Sequence, residues 1–146
     1  MPTYTVHYSS HVLGAEMKHQ LALEITNAHQ RVTGAEGFFA QVLFQERAPQ
    51  DCYLGGSPVQ HPQFFVQGQI RAGRSSQVRR DLLVALRDVV MAVTGLTLSQ
   101  VWVYLVELRP SDMMEYGHIL PPPGEEKAWF SALGLTLQHQ LLKKST

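Results

Sequence analysis

Pro2, His29, Arg71, Arg74, Tyr104 and Glu115 are the residues of this chain whose types and settings could do chemistry. Arg71-Ala72-Gly73-Arg74-Ser75-Ser76 joins a β-rich run to a helical one, setting two guanidiniums beside free N–H groups at the positive end of a helix dipole. Such a pair is a cradle for a carboxylate or phosphate, with a solvated basic loop as the alternative. Met1-Pro2 offers a secondary amine once the methionine is removed. An α-amino reference of about 7.7 to 8.0 suits either acid or base work. His29 falls four after Ile25 on a helical apolar stripe, where a packed core histidine competes with a ligand contact. Tyr104 alternates within Val101-Trp102-Val103-Tyr104 as a packed strand aromatic would, and Glu115 of Glu115-Tyr116-Gly117 would by itself be a solvated carboxylate. Seven histidines come with no HExxH and no paired Cys/His spacing, so no metal site is expected. Glycine-rich phosphate motifs are absent too.

The elements that must position these residues occur twice. Val32-Thr33-Gly34 returns as Val93-Thr94-Gly95, Val42 as Val103, Glu46 as Glu107, Pro49 as Pro110, Asp51 as Asp112 and Gly56 as Gly117, each 61 positions on. Chemistry is expected where the copies differ, and Arg71 and Arg74 stand where the first copy has Ser10 and Leu13. Each copy reads as strand, helix, strand. Thr3 to Tyr8 and Phe64 to Ile70 are β-rich, and Ala40 to Phe44 and Val101 to Leu108 form the second strands, ended by Pro49 and Pro110. Between them Met17, Leu21, Ile25, Ala28 and Val32, then Val78, Leu82, Leu86, Val89 and Val93, recur at helical spacing. Gly34 and Gly95 are C-cap glycines, and Ser75 or Ser76 caps the second helix. Right-handed crossovers then give an α/β (α+β) fold of tandem β-α-β repeats: a four-stranded sheet with two helices on one face. The expected organisation is a single domain over 1–146, with repeats 2–62 and 63–123 and an extension 124–146. Tyr116 to Leu120 is a candidate short strand, and Glu125 to Lys144 reads as one or two short helices. The sheet's other face lacks cover, so a closed homotrimer is expected.

Composition narrows the partners. A chain of 146 residues buries roughly 70% of the surface its unfolded form exposes, enough for one core. Twelve basic and twelve acidic residues cancel, so nucleic acid and membrane are not expected and a small molecule is. Cys52, the single cysteine, forms no internal disulfide and is read as inert in a reducing cytosol. No signal-peptide pattern opens the chain, and the expected location is cytoplasmic.

The constellation resembles the tautomerase superfamily, and within it the cis-3-chloroacrylic acid dehalogenase branch. The likeness runs from Pro2 to about Leu133, through Ile25-Thr26-Asn27-Ala28-His29, Ala40-Gln41-Val42-Leu43-Phe44-Gln45-Glu46, Leu54-Gly55-Gly56, Arg71-Ala72-Gly73-Arg74, Val101-Trp102-Val103-Tyr104 and Glu115-Tyr116-Gly117. The resemblance implies a trimeric tautomerase/MIF-like fold that works without a cofactor. It also implies that Pro2 protonates the substrate α-carbon, that Arg71 and Arg74 bind a carboxylate with help from His29, and that Tyr104 and Glu115 activate water. The implied reaction is hydrolytic dehalogenation of cis-3-chloroacrylate to malonate semialdehyde. Alternatives are hydration (with decarboxylation) of acetylenic acids, keto–enol tautomerisation, or a ligand-binding trimer without catalysis. Substrate choice is expected in loops such as Gln50 to Gln63.

Overall fold

The computed structural model describes residues 2–9 and 13–143. β1 (Thr3–Ser9) leads to α1 (Ala15–Thr33), β2 (Gln41–Arg47) and a hairpin of β3 (Tyr53–Leu54) and β4 (Ser57–Pro58). The same order then recurs as β5 (Gln63–Arg71), α2 (Ser76–Thr94), β6 (Val101–Leu108) and the hairpin β7 (Met114–Glu115) with β8 (His118–Ile119). Two short helices, α3 (Glu126–Ala132) and α4 (Leu135–Lys143), follow.

The four long strands form one sheet in the order β2-β1-β5-β6. Each copy contributes a parallel pair, as a crossover through a helix requires, and the copies meet at an antiparallel β1–β5 pair centred on Val6 opposite Val66. Alternation sends Tyr4, Val6, Tyr8, Phe64, Val66 and Ile70 to the helix side, where Leu21, Ile25, Leu82, Leu86 and Val90 meet them in one core. Burying each such aliphatic side chain stabilises by about 1.5–3 kcal/mol, so this layer dominates the fold. Leu43, Trp102, Tyr104 and Val106 point to the opposite face and remain exposed.

Both long helices stop at a glycine in the left-handed region, Gly34 (φ 71) and Gly95 (φ 75), as the cap spacing predicts. Ser75 rather than Ser76 is the N-cap of α2, its hydroxyl accepting from Val78 N at 3.2 Å. Three local expectations change. The first strands extend to Ser9 and Arg71 and the second strand of the first copy to Arg47. Gln50 to Gln63 holds a hairpin at Tyr53–Pro58, and the segment Tyr116 to Leu120 is the turn and returning strand of another. Positive φ at Gly55 and Gly56 (58, 81) and at Tyr116 and Gly117 (53, 82) makes both turns the two-residue kind that matches strand twist. Lys144, expected at the end of the last helix, lies outside the described residues, as does Ser10.

α3 and α4 bring a second, smaller core. Phe38 and Phe39, in the turn after α1, pack with Leu120, Leu133 and Leu141, flanked by Trp129 and Phe130. Trp129 donates its indole N–H to Ile119 O at 2.8 Å and so ties α3 to the β7–β8 hairpin. The extension thereby closes over one end of the sheet, the end where β5 delivers Arg71.

Candidate active site

Between the tail of α1, the β5–α2 loop and α3 lies a cavity of about 490 Å³, walled by Thr33, Phe38, Phe39, Phe130, Arg71, Arg74 and Glu126 among others. Arg71 ends β5, and the chain must then turn sharply into α2. Gly73 makes that turn at φ 108, and a Cβ there would stand 3.1 Å from the Pro123 ring, so both conformation and space call for glycine. Arg74 follows directly and donates to Thr33 O, the last carbonyl of α1, at 2.8 Å. Arg79 in turn donates to Arg74 O at 2.5 Å and pairs with Glu107 at 3.3 Å, which steadies the loop.

Arg71 is 5% exposed. One terminal nitrogen donates to Pro121 O at 3.2 Å, the other pairs with Glu126 Oε1, and Nε finds no partner among the described residues. A buried, charged group with an unmet donor is costly, and an anion accepting from it would remove that cost. Burial, and then the adjacent Arg71 charge, lower the Arg74 pKa, which shows two guanidiniums held close together.

Behind the cavity, His29 is buried on α1 as its stripe position implies. Its Nδ1 stands 2.7 Å from the Tyr4 hydroxyl. Burial, helped by the Arg74 charge, pushes the His29 pKa down to about 4, so the ring is neutral at pH 7. Burial drives the Tyr4 phenol upward against the opposing pull of Arg74, so the phenol keeps its proton. Donation from Tyr4 to Nδ1 goes with the tautomer protonated at Nε2, which faces outward from this bond as a donor. Gly68 makes room for the Tyr4 ring: a Cβ there would come within 2.7 Å of Tyr4 Cε1 and 2.8 Å of Leu105 Cδ2.

The other expected residues are placed less closely. Pro2 is buried at the head of β1, its carbonyl accepting from Gln41 N at 2.9 Å. Met1, whose removal the sequence leads one to expect, lies outside the described residues. Glu115 lines a separate cavity of about 380 Å³ with Thr3, Gln41 and Tyr116, and Phe39 borders both cavities. Tyr104 is 55% exposed on the sheet's outer face, in a recess of about 460 Å³ with His7, Arg47, Cys52 and Trp102. One chain therefore brings Arg71 and Arg74 together, sets His29 behind them and Glu115 beyond Phe39, and keeps Tyr104 apart. Among the described residues no cluster of His, Cys, Asp or Glu could hold a metal ion, and no helix is long and apolar enough to cross a membrane.

Sequence reasoning missed Tyr4 and Glu126. A tyrosine at a core position of an alternating strand carries no mark of its partner, and a glutamate in a charged tail reads as solvated. Phe38-Phe39, adjacent apolar residues in a turn, was a signal available to be read.

Comparison with known proteins places this arrangement. Residues 1–132 match the family model described as "Putative oxalocrotonate tautomerase enzyme". A solved structure of N1, a member of the cis-3-chloroacrylic acid dehalogenase family, superimposes with a TM-score of 0.92 at 30% identity, covering 97% of this chain and 99% of that one. Native Ps01740 matches with a TM-score of 0.72 at 35% identity over 77% of this chain and 99% of its own. A fused 4-OT described as a wild-type symmetric trimer shares the fold, with a TM-score of 0.73 at 24% identity over 81% of this chain and 94% of its own. No curated protein matches the chain.

Proposed function

This chain belongs to the tautomerase superfamily, and from that membership we propose that it is a hydratase that dehalogenates 3-haloacrylates, with Pro2 as its general acid. The observation carrying this reading is buried Arg71 with its unpartnered Nε beside Arg74, in a fold shared with a dehalogenase-family protein. The substrate carboxylate accepts from Arg71 Nε and from Arg74, while the His29 Nε2–H adds a neutral donor. Charge drawn toward that end leaves the β-carbon electrophilic. Glu115 takes a proton from water, the hydroxide adds to the β-carbon, and the ammonium of Pro2, freed by loss of Met1, protonates the α-carbon. The 3-chloro-3-hydroxypropanoate so formed expels chloride and a proton to give malonate semialdehyde. These steps use side chains and water alone.

Tyr104 enters from another subunit. Its ring sits on the exposed sheet face with Trp102 and Val106, so a homotrimer that packs those faces together would deliver it to a neighbour's site. A trimer is also what one fused 4-OT neighbour is described as.

Enol–keto tautomerisation is the second reading, favoured by the separation of Glu115 from the arginine cavity, because that reaction needs no activated water. Pro2→Ala should abolish most turnover of either kind while the protein stays folded, and active protein should lack Met1 by intact mass. Glu115→Gln then divides the readings: hydration of cis-3-chloroacrylate collapses and tautomerisation survives. Equal loss of both would make Glu115 a general support of the site rather than the water-activating base, and loss of neither would return it to a solvated carboxylate and leave the tautomerase.

A further inference from the structure

Arg71, read above as half of the carboxylate seat, already holds a carboxylate. Glu126 at the start of α3 pairs with its Nη2 through Oε1, and its Oε2 accepts from Gly124 N at 2.9 Å. Both oxygens of the side chain are therefore engaged. Burial is the largest single influence and acts to raise the Glu126 pKa, but the hydrogen bond and charge of Arg71 together with the backbone N–H groups of Glu126 and Gly124 outweigh it, so the net shift is downward and the group is charged at neutral pH. Among the described residues, the charged ones of the cavity wall are Arg71, Arg74 and Lys127 against Glu36 and Glu126, an excess of one positive charge. Phe38, Phe39 and Phe130 fill much of the remaining wall.

We propose that Glu126 sets the charge selectivity of this site: it reserves part of Arg71, so the cavity takes acids with one carboxylate and an apolar body and rejects those with two. The inference rests on Arg71 and Arg74 being the substrate's carboxylate seat. One carboxylate balances the excess charge and uses Arg74 and Arg71 Nε without moving Glu126. A second carboxylate would have to displace Glu126 from a two-sided grip, reach out to the exposed Lys127 where solvent screens the pairing, or lie desolvated against the phenyl groups, and each of these costs more than seating the first. A cavity of about 490 Å³ also exceeds what a three-carbon acid fills, and its aromatic wall suits a body of ring size. Glu126 has no counterpart in the repeated halves, since the helix that carries it follows both of them.

The test uses full-length protein with matched probes differing in charge. Wild type, Glu126→Gln, Glu126→Asp and Arg71→Ala are titrated by calorimetry with cinnamate and cis,cis-muconate, and assayed with phenylenolpyruvate and 2-hydroxymuconate. Glutamine keeps an oxygen for Gly124 N and removes only the charge. The expected result is a preference of wild type for the single carboxylate by tenfold or more, in binding and in kcat/KM. Glu126→Gln should cut that preference at least tenfold by improving the dicarboxylate, and Glu126→Asp should retain it. An unchanged preference in Glu126→Gln, or tighter binding of the dicarboxylate by wild type, would overturn the proposal. Should Glu126→Gln fail to fold, the wild-type and Glu126→Asp titrations decide it on the same criterion. Unaltered binding of both probes by Arg71→Ala would instead overturn the seat itself, a failure visible separately from that of Glu126.

Discussion

At one end of the sheet the tail of α1 and its following turn, Thr33 to Phe39, meet the β5–α2 loop with Arg71 and Arg74; at the other, Thr94 to Gln100 follow α2, with Leu96 buried in the same core as Leu13, which precedes α1. The backbones match closely. The Thr33 hydroxyl donates to His29 O at 2.8 Å and accepts from Ala35 N at 3.3 Å, while the Thr94 hydroxyl donates to Val90 O at 2.6 Å and accepts from Leu96 N at 3.3 Å. Beyond the caps they part. Thr97 and Gln100 form a capping box, and Gln100 also donates to Pro62 O at 3.1 Å, so the turn after α2 satisfies its own polar groups, while the Gln63 amide and the Ser9 hydroxyl at that end are buried without a partner among the described residues. Phe38 and Phe39 replace Ser99 and Gln100 at the first end, and His29 replaces Val90 in the helix layer below. Apolar side chains cannot close hydrogen bonds, so Arg71 and Arg74 draw instead on Pro121 O, Glu126 and Thr33 O, and Arg71 Nε is left without a partner among the described residues. Two ends with one backbone thus differ in which of their polar groups are already used.

The comparison is sharpened most by acid. His29 is held at about 4 in the folded chain against an ordinary value near 6.5, so the native ring stays neutral while an unfolded one protonates. Its contribution to stability is fully present above pH about 6.5 and is lost as pH falls toward 4, by roughly 3 kcal/mol. Chemical denaturation at pH 7 and pH 4 should show that loss in wild type and its absence from a Tyr4→Phe/His29→Val double variant, which converts the layer to the Val90 type. Next in size, Arg71→Ala and Arg74→Ala should each cost about 1.5 to 3 kcal/mol in kcat/KM, the range for a hydrogen bond to a charged group. Leu13→Ala, at the matching position of the other end, should lower the melting temperature without altering KM. Smallest, Tyr116→Phe removes the hydroxyl that donates to Phe38 O at 2.7 Å and should cost about 1 kcal/mol in urea unfolding. The corresponding Gly55 offers no such bond, and Gly55→Ala should destabilise by a similar amount for a different reason, its φ of 58.

Much of the architecture was legible because helix stripes and glycine caps are local signals. Leu21, Ile25 and His29 stand 61 before Leu82, Leu86 and Val90, and all are buried. The offset breaks in the first strand: Tyr4 is buried, while Phe65, 61 residues on, faces the other side of the sheet and is only partly covered. Period two, not the repeat, decides which face a strand residue takes. The β3–β4 hairpin escaped because two-residue strands carry no alternation, although Gly55-Gly56 is a strong turn signal. Arg71 and Arg74 were readable from their place before a helix. The ion pair with Glu126 was not, because it spans a long sequence separation between a loop and a tail whose composition looks solvated. Tyr104 was readable as a strand aromatic, but its proposed service to another subunit's site was not, because its place on the exposed sheet face emerges only once the fold is assembled.

The antiparallel pairing of β1 with β5 relates the two copies by an approximate twofold rotation through the Val6–Val66 pair. Each end of the sheet is consequently mixed, taking a helix tail from one copy and a strand–helix loop from the other. In a symmetric assembly of two separate half-length chains every substitution would be written at both ends at once, so a histidine or arginine favourable at one would burden its mirror image. Covalent joining removes that tie. Phe38 and Phe39 in the first copy and Arg71 and Arg74 in the second can then be concentrated at one end, while the other is left to heal into ordinary, self-contained backbone.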